Sequence, residues 1–473
     1  MIPFDRASAA ENASTSAFTR RVALWLAAVV ASLAVGPRAP VYWDSLGYVE
    51  QAITGRPGGL ALGRPAFVLL SHGALRVASA AGISPWHFEA LLRNAWLAAA
   101  AAAAPLAAEW AIAEGMTASA AWTAGLLVAL SPAGAHTRDA VLTDGPAAAV
   151  VLAALVAGAR GAPLAAGALL GVAFGFREQS ALHAATLAVM LARRHGRVAC
   201  AGPIARAAAA FALVGAATVA AAWLANSDYP RTIPRWLAGM AAERREHRDA
   251  VRATLAYAGW LVALSPLALG AAVAWWLRSR TSLRLVLLPG TAGLLLLSRY
   301  QDIAWSPRYL LTEFVVATTL PAAAVLRPAA WWIAPSAAVL PIAGMLLRRA
   351  QRETRAALDE TPAWLRTLPD DAVVVTAQPC TTVRLALRIA RSYPSSWPRS
   401  TPRWTVRCAG WNWRAADLDG DLARDAVIAL DLRDGAWIGA TQRARLAEVR
   451  AFADRHAGDA RILSWRGAPR GPR

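Results

Sequence analysis

The chain has 473 residues, 57% of them hydrophobic and only 17% charged, with a mean hydropathy of +0.37. Soluble domains carry about 25% charged residues, so this composition excludes an ordinary soluble enzyme and points to the membrane class. The net charge is +19 and every basic residue is arginine; scattered between apolar segments, these arginines form no continuous basic face for nucleic acid and suit anionic head groups or phosphates instead.

About 20 apolar residues cross the hydrocarbon core of a bilayer. On that rule about eleven spans are expected, centred in 22–36, 91–112, 118–132, 145–158, 162–176, 180–192, 205–225, 255–277, 283–298, 310–326 and 329–347. Several are Ala-rich and shorter than a full span. The first follows Arg20 and Arg21 in the manner of a signal peptide, but the many later spans favour a retained anchor. The expected division is a cytoplasmic tail over 1–21, a transmembrane domain with acidic outer loops over 22–348, and an extracytoplasmic domain over 349–473.

Orientation follows from arginine density. With the amino terminus inside, the short inner turns hold Arg160, then Arg193, Arg194 and Arg197, then Arg278, Arg280 and Arg284, then Arg327, as the positive-inside rule expects. The outer loops also hold arginines, spread over longer stretches and beside acids, as in AERREHRD at 242–249. An odd number of spans then puts the first loop and the carboxyl tail outside.

Acidic residues mark the outer loops. Asp44 lies in WDSLGYVEQA, just after the first span, and Asp139 and Asp144 lie in HTRDAVLTDGPAA between two later spans. A carboxylate in such a place is either a solvated loop acid, a helix cap or part of a site at the membrane surface.

The tail changes texture near residue 350. DDAVVVTA (370–377) reads as a buried strand, TTVRLALRIARS (381–392) as a helix, DAVIALDL (425–432) as a second strand, and ARILSW (460–465) as a third. Between the last two, residues 440–457 form an amphipathic helix with Leu446, Val449 and Ala453 on one face. Strands alternating with helices predict a small α/β domain. No Gly-rich phosphate fingerprint follows either early strand. Cys380 and Cys408 fall in this domain, where an oxidising compartment allows a disulfide; spacing alone leaves a bridge and two separate thiols equally open. The histidines are dispersed, and no zinc-type Cys/His spacing occurs.

The order of motifs resembles a known group. WDSLGYVEQA, GGLALGRPAFVLLSHG, ALLRNAWLAAA, TRDAVLTDGPAAAVVLAALV, GVAFGFREQSAL and SPRYLLTEFVVA follow one another over about residues 20–330. This succession is similar to the GT-C superfamily of membrane glycosyltransferases, above all to the branch with protein O-mannosyltransferases and the lipid A aminoarabinose transferase. The resemblance implies an inverting transfer of sugar from a polyprenyl-phosphate donor to an extracytoplasmic acceptor, within a bacterial cell envelope. It implies Asp44 as general base, with Asp144 as the second-loop acid and Asp139 as the weaker candidate for that role. Members often carry a second acid beside the first-loop aspartate. Here Ser45 follows Asp44, so the paired-carboxylate seat for a divalent metal lacks its second ligand and metal dependence stays open.

The chemistry needs these residue types. An acceptor hydroxyl loses its proton as it attacks, and a fixed carboxylate can take it. The leaving lipid phosphate needs guanidinium donors, and Arg138, Arg177 and Arg308 lie at expected outer span ends. Tyr48, Arg64, His136, Asp139, Glu178 and Tyr309 are further candidates for substrate contact. Each has a plainer role: Tyr48 and Tyr309 as interfacial aromatics, Arg64 as a shaper of the first loop, His136 as a structural histidine, and Glu178 as a surface partner of Arg177. Two other functions fit the same composition. A transporter or flippase of a lipid-linked saccharide would line several spans with charge near mid-depth, and a non-catalytic scaffold would need no acids at all. No motif names the sugar or the acceptor.

Overall fold

The computed structural model describes residues 6–36, 43–58, 64–231, 234, 265–279, 281–300, 310–376, 380–397, 401–408, 416–433 and 440–466. It is mostly helical with a small C-terminal α/β region. In chain order the described helices are α1 (Arg6–Val35), α2 (Trp43–Thr54), α3 (Pro65–Ala80), α4 (Phe88–Ala101), α5 (Ala103–Ala113), α6 (Ala118–Ala129), α7 (Pro132–Arg138), α8 (Asp144–Ala159), α9 (Pro163–Phe176), α10 (His183–Ala199) and α11 (Ala201–Ala225). They continue with α12 (Pro266–Arg278), α13 (Leu283–Tyr300), α14 (Leu311–Val325) and α15 (Ala330–Leu365). Packing divides the chain into two units. One holds residues 1–36, 56–70 and 93–346, the other 37–55, 71–92 and 347–473.

The first unit is all helical, and its core is built largely from alanine. Leu24, Trp110, Leu152, Leu155, Leu170 and Phe314 supply the bulk between alanines of α5, α6, α8 and α14. Small residues let helices approach until backbones touch, which is how apolar helices bind one another without a hydrophobic driving force. The clearest case is α9 on α11. Gly167, Gly171 and Gly175 recur every four residues along α9 and so share one face. A Cβ on Gly167 would collide with the Ala207 carbonyl oxygen of α11, and one on Gly171 would lie 2.9 Å from Val214 Cβ. The outer side of α11 is apolar and open: Leu213, Trp223 and Leu224 are exposed.

Three helical stretches are long and apolar enough to cross a membrane: Ser16–Val35, Pro85–Ala113 and Ala201–Ala225. Seven further apolar helices run 10–17 residues, which at about 1.5 Å per residue fall short of a core of about 30 Å. The expected eleven spans therefore reduce, among the described residues, to three full-length candidates and a set of shorter ones. The expected span at 255–277 lies partly outside the described residues, and α10 at the expected 180–192 is not among the apolar helices. Its face with Arg193 and Arg194 carries too much charge.

Charge gathers at both ends of the α8–α9 hairpin. At the closed end, Arg160 pairs with Glu109 of α5, which also accepts from Arg20 at 3.2 Å and Arg21 at 2.9 Å. There too Arg193 pairs with Glu114 and Arg194 donates to the Ala159 carbonyl. The open end, about 24 Å away by helical rise, holds Asp144 and Arg177.

The second unit is built on a four-stranded parallel sheet in the order β2-β1-β3-β4. Its strands are β1 (Val373–Thr376), β2 (Thr405–Cys408), β3 (Ile428–Asp431) and β4 (Ile462–Trp465). The helices α16 (Thr381–Ser392), α17 (Ala416–Ala423) and α18 (Ala440–Arg455) alternate with them. Central strands of a parallel sheet are covered on both faces and read as continuous apolar runs; Val373–Thr376 and Ile428–Asp431 are buried at every position. Val375 and Leu430 meet Leu446, Val449 and Phe452 of α18. Val374 and Ala429 meet Val383, Ala386 and Ala390 of α16 with Trp397 and Trp404. The disulfide Cys380–Cys408 ties the start of α16 to the end of β2 across a Cα–Cα distance of 5.4 Å. Closing a loop of 28 residues is worth about 3–4 kcal/mol in the chain-entropy account.

β2 and α17 leave no clear pattern in the sequence. TVRC carries an arginine and lies at the sheet edge, half open to solvent, so it lacks the apolar run that marks β1 and β3. From the sequence, the first outer loop is expected with the apolar helices. Instead α2, with residues 71–92, packs in the unit of the tail. The physical cause is specific: Glu50 of α2 accepts from Arg384 and Arg388 of α16, each at 3.2 Å, and Phe88 meets the Tyr393 ring edge-on at 5.4 Å.

The α9–α11 contact is directly testable. Gly167→Leu is expected to destabilise the protein by about 1–3 kcal/mol, the scale of overpacking. Gly270, in α12, has open space around its Cα, and Gly270→Leu is expected to leave thermal unfolding in detergent unchanged.

Candidate functional site

The open end of the α8–α9 hairpin concentrates the charged residues singled out in the sequence. Asp144 opens α8, where the amide dipole of the first turn favours a carboxylate. Arg177 ends α9 in an extended conformation that turns its side chain away from the helix axis (φ −157°, ψ 118°). The two form a buried ion pair, 3% and 2% exposed. Arg177 Nε also donates to Gln179 Oε1 at 2.6 Å. Next to it in sequence, Glu178 pairs with Arg64. Arg64 is held at φ +47°, a left-handed backbone that costs a non-glycine residue about 1–3 kcal/mol and tends to persist at functional sites.

A second acid-base pair joins Asp139 to Arg93 of α4 at 3.3 Å, and Asp139 is fully buried. Arg138 points a different way. Its Nε donates to Ser32 Oγ at 2.9 Å, Nη1 to the Val128 carbonyl at 3.1 Å and Nη2 to the Ala129 carbonyl at 2.7 Å. Each nitrogen of this guanidinium thus serves the last carbonyls of α6 or the wall of α1. Arg138 caps α6 and braces α1, as a cation at a helix C-terminus does. His136 is buried in the same short helix beside the Val35 carbonyl, and burial pushes its imidazole down to about 4. It is neutral near pH 7.

Two residues that the sequence reading did not weigh complete the cluster. Glu313, in the first turn of α14, and His183, the first residue of α10, approach to 3.9 Å with side chains 1% exposed. The Arg177 charge acts on Glu313. Among the described residues the His183 ring nitrogens and the buried hydroxyls of Ser180 and Thr186 have no hydrogen-bond partner. Buried polar atoms are normally satisfied, which sets these three side chains apart from a core that is otherwise largely alanine. The signal was readable: an acid inside LLTEFVVATTL is a functional candidate by default.

Asp44 and Tyr48 belong to the other unit. Both lie on α2, 7% and 4% exposed, with Asp44 in the helix's first turn. α2 is anchored at its far end by His72, whose Nδ1 lies 2.7 Å from the Ala52 carbonyl, and along its length by Glu50. Arg308 and Tyr309 lie outside the described residues. Among the described residues no group of three or more His, Cys, Asp or Glu side chains is arranged to hold a metal ion.

No family model and no curated protein matches the chain.

The buried His136 gives a pH signature. In the unfolded chain an imidazole titrates near 6.5. Above that value both states are neutral and His136 adds no pH dependence. Between pH 6.5 and 4 only the unfolded chain takes the proton, so stability is lost as the pH falls, by at most about 3 kcal/mol. Thermal unfolding in detergent at pH 7, 5.5 and 4.5 is expected to show this loss, and His136→Gln is expected to remove that share of it.

Proposed function

We propose that the chain is a polytopic GT-C-type glycosyltransferase that moves a sugar from a polyprenyl-phosphate carrier to an extracytoplasmic acceptor. The observation that carries this reading is the buried Asp144–Arg177 pair, in a unit of apolar helices that also buries the pairs Arg64–Glu178 and His183–Glu313. Ionisable residues among apolar helices are expensive and are kept where a substrate or charge must be handled. Here they occupy helix ends: Asp144, His183 and Glu313 all lie in first turns. Charge at helix ends suits chemistry at a membrane surface, whereas a transporter would need it along helix middles.

Orientation is part of the proposal. The hairpin end with Arg20, Arg21, Arg160, Arg193 and Arg194 carries the surplus of cations expected of a cytoplasmic face. The end with Asp144 and Arg177 is then extracytoplasmic. The Cys380–Cys408 bridge supports an oxidising compartment for the tail. The membrane is the inner or plasma membrane, crossed about eleven times if the shorter apolar helices and the stretches between them complete the count.

In the proposed reaction Asp44 takes the proton of the acceptor hydroxyl. The acceptor oxygen bonds to the anomeric carbon from the face opposite the carrier, the bond between that carbon and the phosphate oxygen breaks, and the lipid phosphate leaves with the electron pair. Arg177 and Arg64 are the proposed partners of that phosphate, with Arg308. Arg138 completes the proposed set; it also donates to Ser32 and to the Val128 and Ala129 carbonyls. A divalent metal is not required by this scheme.

Asp44→Asn keeps the size of the side chain and removes its basicity. Transfer from labelled polyprenyl-phosphate hexoses is expected to fall by about 100-fold or more, the scale of a lost general base, with unfolding unchanged. A well-folded Asp44→Asn protein with parental transfer would overturn Asp44 as the base.

A further inference from the structure

A separate basic cavity lies wholly within the α/β unit. It has a volume of about 300 Å³ and is lined by Glu50, Arg384, Arg388, Arg391, Trp404 and Cys408, among others. The three arginines recur at steps of four and three along α16, so they share one face of that helix. Arg384 and Arg388 each send one nitrogen to the same oxygen of Glu50, at 3.2 Å. Their side chains stay 51% and 44% exposed, while that of Glu50 is 9% exposed. Arg391 Nε reaches the Pro402 carbonyl at 3.5 Å. All three arginines line the cavity.

The walls are fixed independently of these side chains. Trp404 is almost fully buried, with its Nε1 donating to the Pro369 carbonyl at 2.8 Å. Cys408 bonds covalently to Cys380, which precedes α16. The helix that presents the arginines and the strand that forms the opposite wall are thus stapled together. A preorganised wall lowers the ordering cost of binding.

The charge count selects the ligand. Three guanidinium groups against one carboxylate leave a surplus of two positive charges, and a phosphate monoester near neutral pH carries about −1.5 to −2. Guanidinium groups match phosphate oxygens two at a time, and a cavity of this size takes one phosphate and part of a sugar ring. We propose that this cavity is a binding site for a phosphate ester, with Arg384, Arg388 and Arg391 as its ligands and Glu50 as the group that sets their spacing and limits their affinity. The inference stands on the α/β unit alone and goes beyond the transferase reading. A water-soluble saccharide and a lipid both offer such a phosphate, and the test separates the two.

The experiment is isothermal titration of the full chain in detergent at low salt with inorganic phosphate, glucose 1-phosphate and a short-chain polyprenyl phosphate. The parent is expected to bind at least one ester saturably. Arg388→Gln is expected to weaken that binding about tenfold, the usual scale of a lost charge-assisted contact. Glu50→Gln, which removes the competing carboxylate, is expected to tighten it. Glucose 1-phosphate matching or exceeding the lipid identifies a soluble ester; binding confined to the lipid identifies a head group. The proposal is overturned if no ester binds, or if binding responds to Arg177→Lys and is indifferent to both Arg388→Gln and Glu50→Gln. That last result would assign all phosphate affinity to the Asp144–Arg177 cluster.

Discussion

The ion pair between Asp144 and Arg177 is the constraint on which the first unit depends. The α8–α9 hairpin is closed covalently at one end by the short turn after Ala159 and electrostatically at the other by this pair. Both partners are placed where the helix dipole favours them, a carboxylate at the start of α8 and a guanidinium at the end of α9. Both are nearly fully buried. A buried pair gains little over apolar side chains of the same size, but removing one partner alone costs about 3–5 kcal/mol. An Ala-rich bundle that could have closed with leucine spends stability on charge here, which argues for a use beyond folding.

Charge elsewhere in this unit follows the same rule of pairing. Glu109 serves three arginines, Glu178 serves Arg64, and Asp139 serves Arg93. Arg138 is satisfied by carbonyls and a hydroxyl instead. Among the described residues the buried polar atoms of His183, Ser180 and Thr186, like the indole nitrogen of Trp110, have no hydrogen-bond partner.

Much of this was legible in the sequence, for identifiable reasons. The membrane class follows from composition, and β1 and β3 follow from VVVT and IALD because a doubly covered strand must be apolar throughout. Arg177, Asp144, Arg64 and Glu178 were reachable because acids and arginines at the ends of apolar segments stand out from their surroundings. Pairing was not legible: nothing in one dimension says that Asp144 meets Arg177 while Arg138 turns to α6. β2 was lost because an edge strand need not be apolar. The docking of α2 on α16 was lost because it rests on Glu50 with Arg384 and Arg388, more than 330 residues apart in sequence. The number of spans is not settled by hydropathy alone, since Ala-rich helices of 10–17 residues look like spans in a composition window.

The central claim is that the Asp144–Arg177 pair is kept for chemistry and not for folding alone. A double-mutant cycle tests it most directly, with Asp144→Asn, Arg177→Gln and the two combined, each measured for thermal unfolding and for transfer from a labelled polyprenyl-phosphate sugar. The account predicts that each single variant loses about 3–5 kcal/mol, because each leaves an unpaired buried charge. The double variant should recover most of that stability and still fail to transfer. A double variant that is stable and transfers at the parental rate would contradict the account and leave the pair a structural clasp.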